Sequence, residues 1–213
     1  MLTITTYRAD TMAVLDKYII MKGLKEAAVN PFRDVKVTDW FYTDVMYALK
    51  NGLFYGTSAD TFSPGTPITR GMFVTVLGRI SGIDTGKYTQ GSFSDVNRGM
   101  YYMPYIEWAK TANIVYGVGN NTFAPDTKIS RQDIVTITKR YVDFKGKTLP
   151  VIIRDAGHFA DEASIAGYAK EAVDVFFKAG IISGKPGNLS LQLYFLRFIH
   201  CDIQYCSSLL YLN

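Results

Sequence analysis

The chain repeats itself. Phe32-Arg33-Asp34-Val35 returns 61 residues later as Phe93-Ser94-Asp95-Val96, and 66 residues further on, more faintly, as Phe159-Ala160-Asp161. Each Asp is followed by aromatics: Trp40-Phe41, Tyr101-Tyr102 and Tyr168. Phe41, Val45, Ala48 and Leu49 then share one helical face, and Gly52 is placed to end that helix. Leu53-Phe54-Tyr55-Gly56 matches Ile114-Val115-Tyr116-Gly117 and Ile181-Ile182-Ser183-Gly184. Thr61-Phe62-Ser63-Pro64 matches Thr122-Phe123-Ala124-Pro125, and Ile68-Thr69-Arg70 matches Ile129-Ser130-Arg131. Thr69 and Ser130 read as helix N-caps, and Ser130 with Asp133 as a capping box carrying Asp in place of Glu or Gln. The second helix presents Phe73, Val76, Leu77 and Ile80, or Ile134, Ile137 and Tyr141. Each unit is therefore helix, glycine-ended loop, Phe-x-Pro turn, capped helix. A unit this small cannot bury both helices alone, so neighbouring units must share a core.

The ends are out of phase with this repeat. Tyr7-Arg8-Ala9-Asp10, with Met12, Val14, Leu15 and Tyr18, reads as the second helix of a unit whose first half is absent. The third unit runs to Asn188 without a Phe-x-Pro turn or a capped Arg. We divide the chain into a preceding half-unit over 1–29, units over 30–90 and 91–152, a partial unit over 153–188 and a divergent tail over 189–213. Two accounts of the stagger stand side by side. In one, the helix from Tyr7 to Met21 replaces the missing last helix; in the other, the chain is a gene fragment with an out-of-frame tail.

Composition narrows the function. Apolar residues make up 48% of the chain and charged residues 20%, enough for a packed core. The net charge is +4 and no Lys/Arg run occurs, so nothing points to nucleic acid. Both cysteines, Cys201 and Cys206, lie in the tail, which excludes a disulfide scaffold or a cysteine zinc site in the body. No apolar run is long enough to span a membrane. The two histidines, His158 and His200, leave little for histidine catalysis, and His158 beside Asp155 and Asp161 reads as a solvated linker residue. We expect no catalytic residue, no metal and no cofactor.

The ordered landmarks resemble the S-layer homology (SLH) domain: Phe-x-Asp-Val, the following aromatic, Gly-Leu/Ile-x-x-Gly, Thr-Phe-x-Pro and a Thr-Arg-Ala-Glu-like helix start. The resemblance covers about residues 4–188. The family's helix start reads Thr69-Arg70-Gly71-Met72, Ser130-Arg131-Gln132-Asp133 and Tyr7-Arg8-Ala9-Asp10 here, so arginine recurs three times and the acid twice. The resemblance implies a mostly α-helical protein of tandem helix-loop-helix modules in a pseudo-threefold bundle, or spindle. It also implies an exported protein held non-covalently on a bacterial cell wall or S-layer through a secondary cell-wall polysaccharide, commonly pyruvylated and acidic. A peptidoglycan- or protein-binding module, and the anchoring part of an exported glycoside hydrolase, are the alternatives.

The candidate polysaccharide-binding residues are Arg8, Arg70, Arg131, Trp40, Tyr101, Tyr168, Gly56, Gly117 and Gly184. A cation at a helix N-terminus opposes the helix dipole by about 0.3–1 kcal/mol, so three recurrences need a reason. One is an anion held by the free N–H groups and a bidentate arginine. The other is an ion pair with Asp34 or Asp95. The aromatics present a flat apolar face with a polar edge, suited to a sugar or to the core. The glycines serve backbone geometry first and close approach of a ligand second.

Overall fold

The computed structural model describes residues 29–151, 162–185 and 188–192. Arg8, the helix expected from Tyr7 to Met21, Asp155, His158, Asp161, His200, Cys201 and Cys206 lie outside the described residues. Among the described residues the regular structure comprises five α-helices, three single-turn 3-10 helices and one hairpin: α1 Tyr42–Lys50, α2 Arg70–Ile80, α3 Met103–Thr111, α4 Arg131–Phe144, α5 Lys170–Lys178, β1 Ser183–Lys185 and β2 Asn188–Gln192. Among the described residues the regular structure is mostly α-helical, as the resemblance implies.

The local signals are realised residue by residue. Val45 and Ala48 of the expected face are fully buried, and Gly52 turns the chain after α1 with φ of 64°. At α2 the Thr69 hydroxyl accepts from the Met72 N–H at 3.3 Å. At α4 the Ser130 hydroxyl accepts from the Asp133 N–H at 3.2 Å and donates to Asp133 Oδ2 at 2.6 Å. The expected capping box thus closes between the two side chains, because aspartate is one methylene shorter than glutamate.

The repeat aspartates hold the loops. Asp34 accepts from the N–H groups of Phe62 (2.8 Å) and Ser63 (2.7 Å). Asp95 does the same for Phe123 (2.8 Å) and Ala124 (2.7 Å). Ser63 and Ala124 take φ of 62° and 57°, a left-handed conformation unusual for residues with a Cβ. A carboxylate bonded to two successive N–H groups compensates that cost and aims the chain from the loop into the next helix.

Units join through the second helix of one and the first helix of the next: α2 packs on α3, and α4 on α5. The principal core reflects this. Phe73, Val74 and Leu77 of α2 pack with Ile106, Trp108, Ile114, Phe123, Ile134 and Tyr141 of the following unit. A second cluster joins Val135 of α4 to Ala172, Val173 and Phe176 of α5. Backbone bonds stitch the first junction as well, Ile129 N–H to the Ile68 carbonyl at 3.1 Å and Arg70 N–H to the Thr127 carbonyl at 3.0 Å.

The hairpin is the departure from the helical expectation. β1 and β2 pair antiparallel, with Ser183 opposite Gln192 and Lys185 opposite Asn188. The earlier units have only the single bridges Ser58 to Thr61 and Gly119 to Thr122 at the same place. Those two units leave the ladder at the Phe-x-Pro turn. The third has no such turn in its sequence, so its pairing runs on.

Candidate functional site

The aromatic pair that follows each repeat Asp divides its labour. Tyr102 is buried while Tyr101 is 51% exposed, the two rings meeting edge to face at 5.1 Å. Trp40 is 63% exposed and packs edge-on against the half-buried Phe41 at 5.4 Å. Tyr168 is 54% exposed, and its neighbour Ala169 is buried. The core therefore takes the second residue of each pair and leaves Trp40, Tyr101 and Tyr168 at the surface.

Trp40 and Tyr101 come together at the first junction. They line a cleft of about 540 Å³ with Tyr55, Gly56, Met72 and Arg79. The Arg79 guanidinium lies 4.7 Å from the centre of the Tyr55 ring, and its Nη1 donates to the Leu53 carbonyl at 2.9 Å. The Thr57 and Ser63 hydroxyls, 2.7 Å apart, belong to the same lining. Burial raises the pKa of the Tyr101 hydroxyl, with Asp126 adding to the rise and Arg79 opposing it. The cleft offers flat ring faces, two hydroxyls and a cation: features that suit a sugar carrying a negative charge.

Arg70 is not part of that cleft; its side chain turns to the carbonyls of Tyr116 and Phe123 in the following unit. It is 8% exposed, with Nε donating to the Phe123 carbonyl at 3.1 Å and Nη2 to the Tyr116 carbonyl at 3.4 Å. Its charge lies over the Phe123 ring at 4.8 Å and 3.8 Å from Asp133 Oδ2. Burial lowers its pKa and Asp133 opposes that shift. The helix-start donors beside it are also engaged: Arg70 N–H with Thr127, Gly71 N–H with the Pro125 carbonyl at 2.8 Å, and Met72 N–H with Thr69. Around Arg70 the structure thus shows an internal network with Asp133 as its carboxylate, rather than Asp34 or Asp95. Arg131 stands exposed at the first turn of α4.

Tyr168 reaches the same network, its hydroxyl donating to Asp133 Oδ1 at 2.8 Å. Gly56 and Gly117 answer to backbone packing. A Cβ on Gly56 would sit 2.4 Å from the Thr61 carbonyl oxygen, and one on Gly117 2.6 Å from that of Thr122. Gly184 lies in β1 opposite Leu191.

Arg79 and Arg140 escaped the sequence reading, and Tyr55 and Tyr116 entered it only as repeat landmarks. Arg140 lies 4.5 Å from the centre of the Tyr116 ring, repeating the Arg79–Tyr55 pair after 61 residues. That step was the available signal. Both arginines lie near the ends of helices, away from the landmark motifs.

Residues 31–71 and 92–135 match the family model described as the S-layer homology domain. Both spans run from the Phe-x-Asp-Val segment into the second helix of a unit. An endoglucanase of Bacillus sp. (strain KSM-635) is 30% identical over 158 residues, covering 74% of this chain and 16% of the relative. Exoglucanase XynX of Acetivibrio thermocellus is 32% identical over 159 residues, 74% of this chain and 14% of the relative. The surface-layer 125 kDa protein of Lysinibacillus sphaericus is 26% identical over 143 residues, 65% of this chain and 12% of the relative. The chain therefore spans only a small part of the length of these proteins.

Proposed function

We propose, from a chain that carries S-layer homology domains at residues 31–71 and 92–135, that it anchors a protein to the outside of a bacterial cell by gripping a wall polymer without a covalent bond. The relatives support this reading. They include a surface-layer protein, a cellulosome-anchoring protein of Acetivibrio thermocellus, an endoglucanase and an exoglucanase, each matched over a small share of its length. What such different proteins have in common with this chain is the region that attaches, so we place any catalysis in other parts of a parent protein. The ligand we propose is an acidic secondary cell-wall polysaccharide, with a pyruvyl ketal as the source of its carboxylate.

One observation carries the ligand chemistry. At the first junction Trp40, Tyr55 and Tyr101 surround a cleft that also contains the Arg79 guanidinium. Rings bury the apolar faces of sugars, and a guanidinium with spare N–H groups pairs with a carboxylate more strongly than with a neutral hydroxyl. Arg8, Arg70 and Arg131 and the glycines remain proposals as ligand contacts, with Arg70 better supported as a brace for the junction.

The test is sedimentation of the full chain with purified cell walls, before and after acid extraction of the secondary polymer. Binding to intact walls that disappears on extraction is the expected result. Binding that survives extraction assigns the ligand to peptidoglycan and overturns the acidic-polymer reading.

A further inference from the structure

The two junctions share one plan and differ at several positions, one of which faces the exposed aromatic. Trp40, Tyr55, Arg79 and Tyr101 at the first correspond to Tyr101, Tyr116, Arg140 and Tyr168 at the second, but Met72 corresponds to Asp133. With Gly71 also giving way to Gln132, that exchange changes the chemistry. At the second junction the Tyr168 hydroxyl donates to Asp133 Oδ1, and the Ala166 N–H donates to Gln132 Oε1 at 2.9 Å. The chain entering α5 is thereby fastened across the groove onto the start of α4. At the first junction Met72 has no oxygen to accept such a bond from Tyr101, and both residues line the open cleft. Among the described residues Arg79 has no carboxylate within ion-pair distance, whereas Asp133 stands 3.8 Å from Arg70.

We propose that the first junction is the working carboxylate site, with Arg79 on Tyr55 as its cation, and that Asp133 closes the second junction to acidic ligands. The inference rests on the acidic-polymer reading and adds which groove serves it. A carboxylate approaching Arg140 has to enter a groove whose own carboxylate, Asp133, already pairs with Arg70 and accepts from Tyr168, so it competes with Asp133 for the donors there. It has also to break the Tyr168 bond that spans the opening. Met72 itself brings no charge and takes no bond from Tyr101, and among the described residues the carboxylate acting on Tyr101 is that of Asp126, which accepts from no group spanning the cleft opening in the way Asp133 does.

Calorimetric titration of the full chain with a hexoside bearing a pyruvyl ketal, against the unsubstituted hexoside, tests this. The unaltered protein is expected to bind one acidic hexoside per chain. Arg79→Gln should weaken that binding roughly tenfold or more, the loss of one charge-assisted contact, and Arg79→Lys should recover part of it. Met72→Asp should abolish the site. Asp133→Met should add a second one, and Asp133→Ala, which removes both the charge and the acceptor for Tyr168, gives the same test where the methionine variant fails to fold; no second site in either folded variant overturns the role of Asp133. Two sites in the unaltered protein, or Arg79→Gln binding as well as the parent, overturns the assignment of grooves and leaves the acidic-polymer reading standing. No binding of the acidic hexoside by the unaltered protein overturns both.

Discussion

Asp34 shows what a single repeated residue does. The Phe62 N–H bond, against the opposing effect of burial, holds its carboxyl below the ordinary carboxylate range, and the Ser63 N–H bond adds to this. A carboxyl that is more acidic folded than unfolded stabilises the fold above its unfolded pKa, and that contribution is lost as pH falls through the folded value. Denaturant midpoints of the parent and of Asp34→Asn, compared between about pH 5 and about pH 2.5, should therefore converge as pH drops below roughly 3.9. A gap that stays constant across that range removes the carboxylate from the argument. The sequence displayed this aspartate plainly as a landmark, but its partners lie 28 and 29 residues away and only the folded loop identifies them. Arg70 gives the same lesson. Its recurrence with Arg131 was visible, while its destination among the Phe123 and Tyr116 carbonyls depends on how two units meet.

Helices were the most legible elements, since a cap and an apolar face are local properties. Thr69 and Ser130 cap the helices they precede, and Phe73, Val76, Leu77, Ile134, Ile137 and Tyr141 point into the core. The Ser130 cap is exposed, and its hydroxyl touches both the helix start and the Asp133 carboxylate. Ser130→Ala should cost about 1 kcal/mol in chemical denaturation, within the usual range for an N-cap. A change below a few tenths of that would mean Asp133 carries the helix start without the hydroxyl. The β1–β2 hairpin was not foreseen, because Ser183–Lys185 and Asn188–Gln192 are too short for an alternating pattern to register. Its cue was negative: a Phe-x-Pro turn missing where two earlier units have one.

At the scale of the molecule the repeat and the core do not share boundaries. We propose units at 30–90 and 91–152, yet Phe73, Val74 and Leu77 of the first are buried among residues of the second. Ser81 Oγ also meets the Tyr141 hydroxyl at 3.1 Å across that boundary. Cutting between the units strips the outer face of α2. A fragment of residues 30–90 should therefore lack a cooperative thermal transition by circular dichroism. A sharp, reversible transition in that fragment would show that a unit folds by itself and that the shared core is incidental.

By itself the sequence determined the repeat, the order of helix, loop and turn, the caps and the residues turned inward, because each follows from spacing along one segment of chain. The surface position of Trp40 and Tyr101, the internal network around Arg70, and the bond that Asp133 takes from Tyr168 were settled only by tertiary structure. Each depends on which side chain of a neighbouring unit stands opposite, and a junction between units has no contiguous stretch of sequence in which to be read.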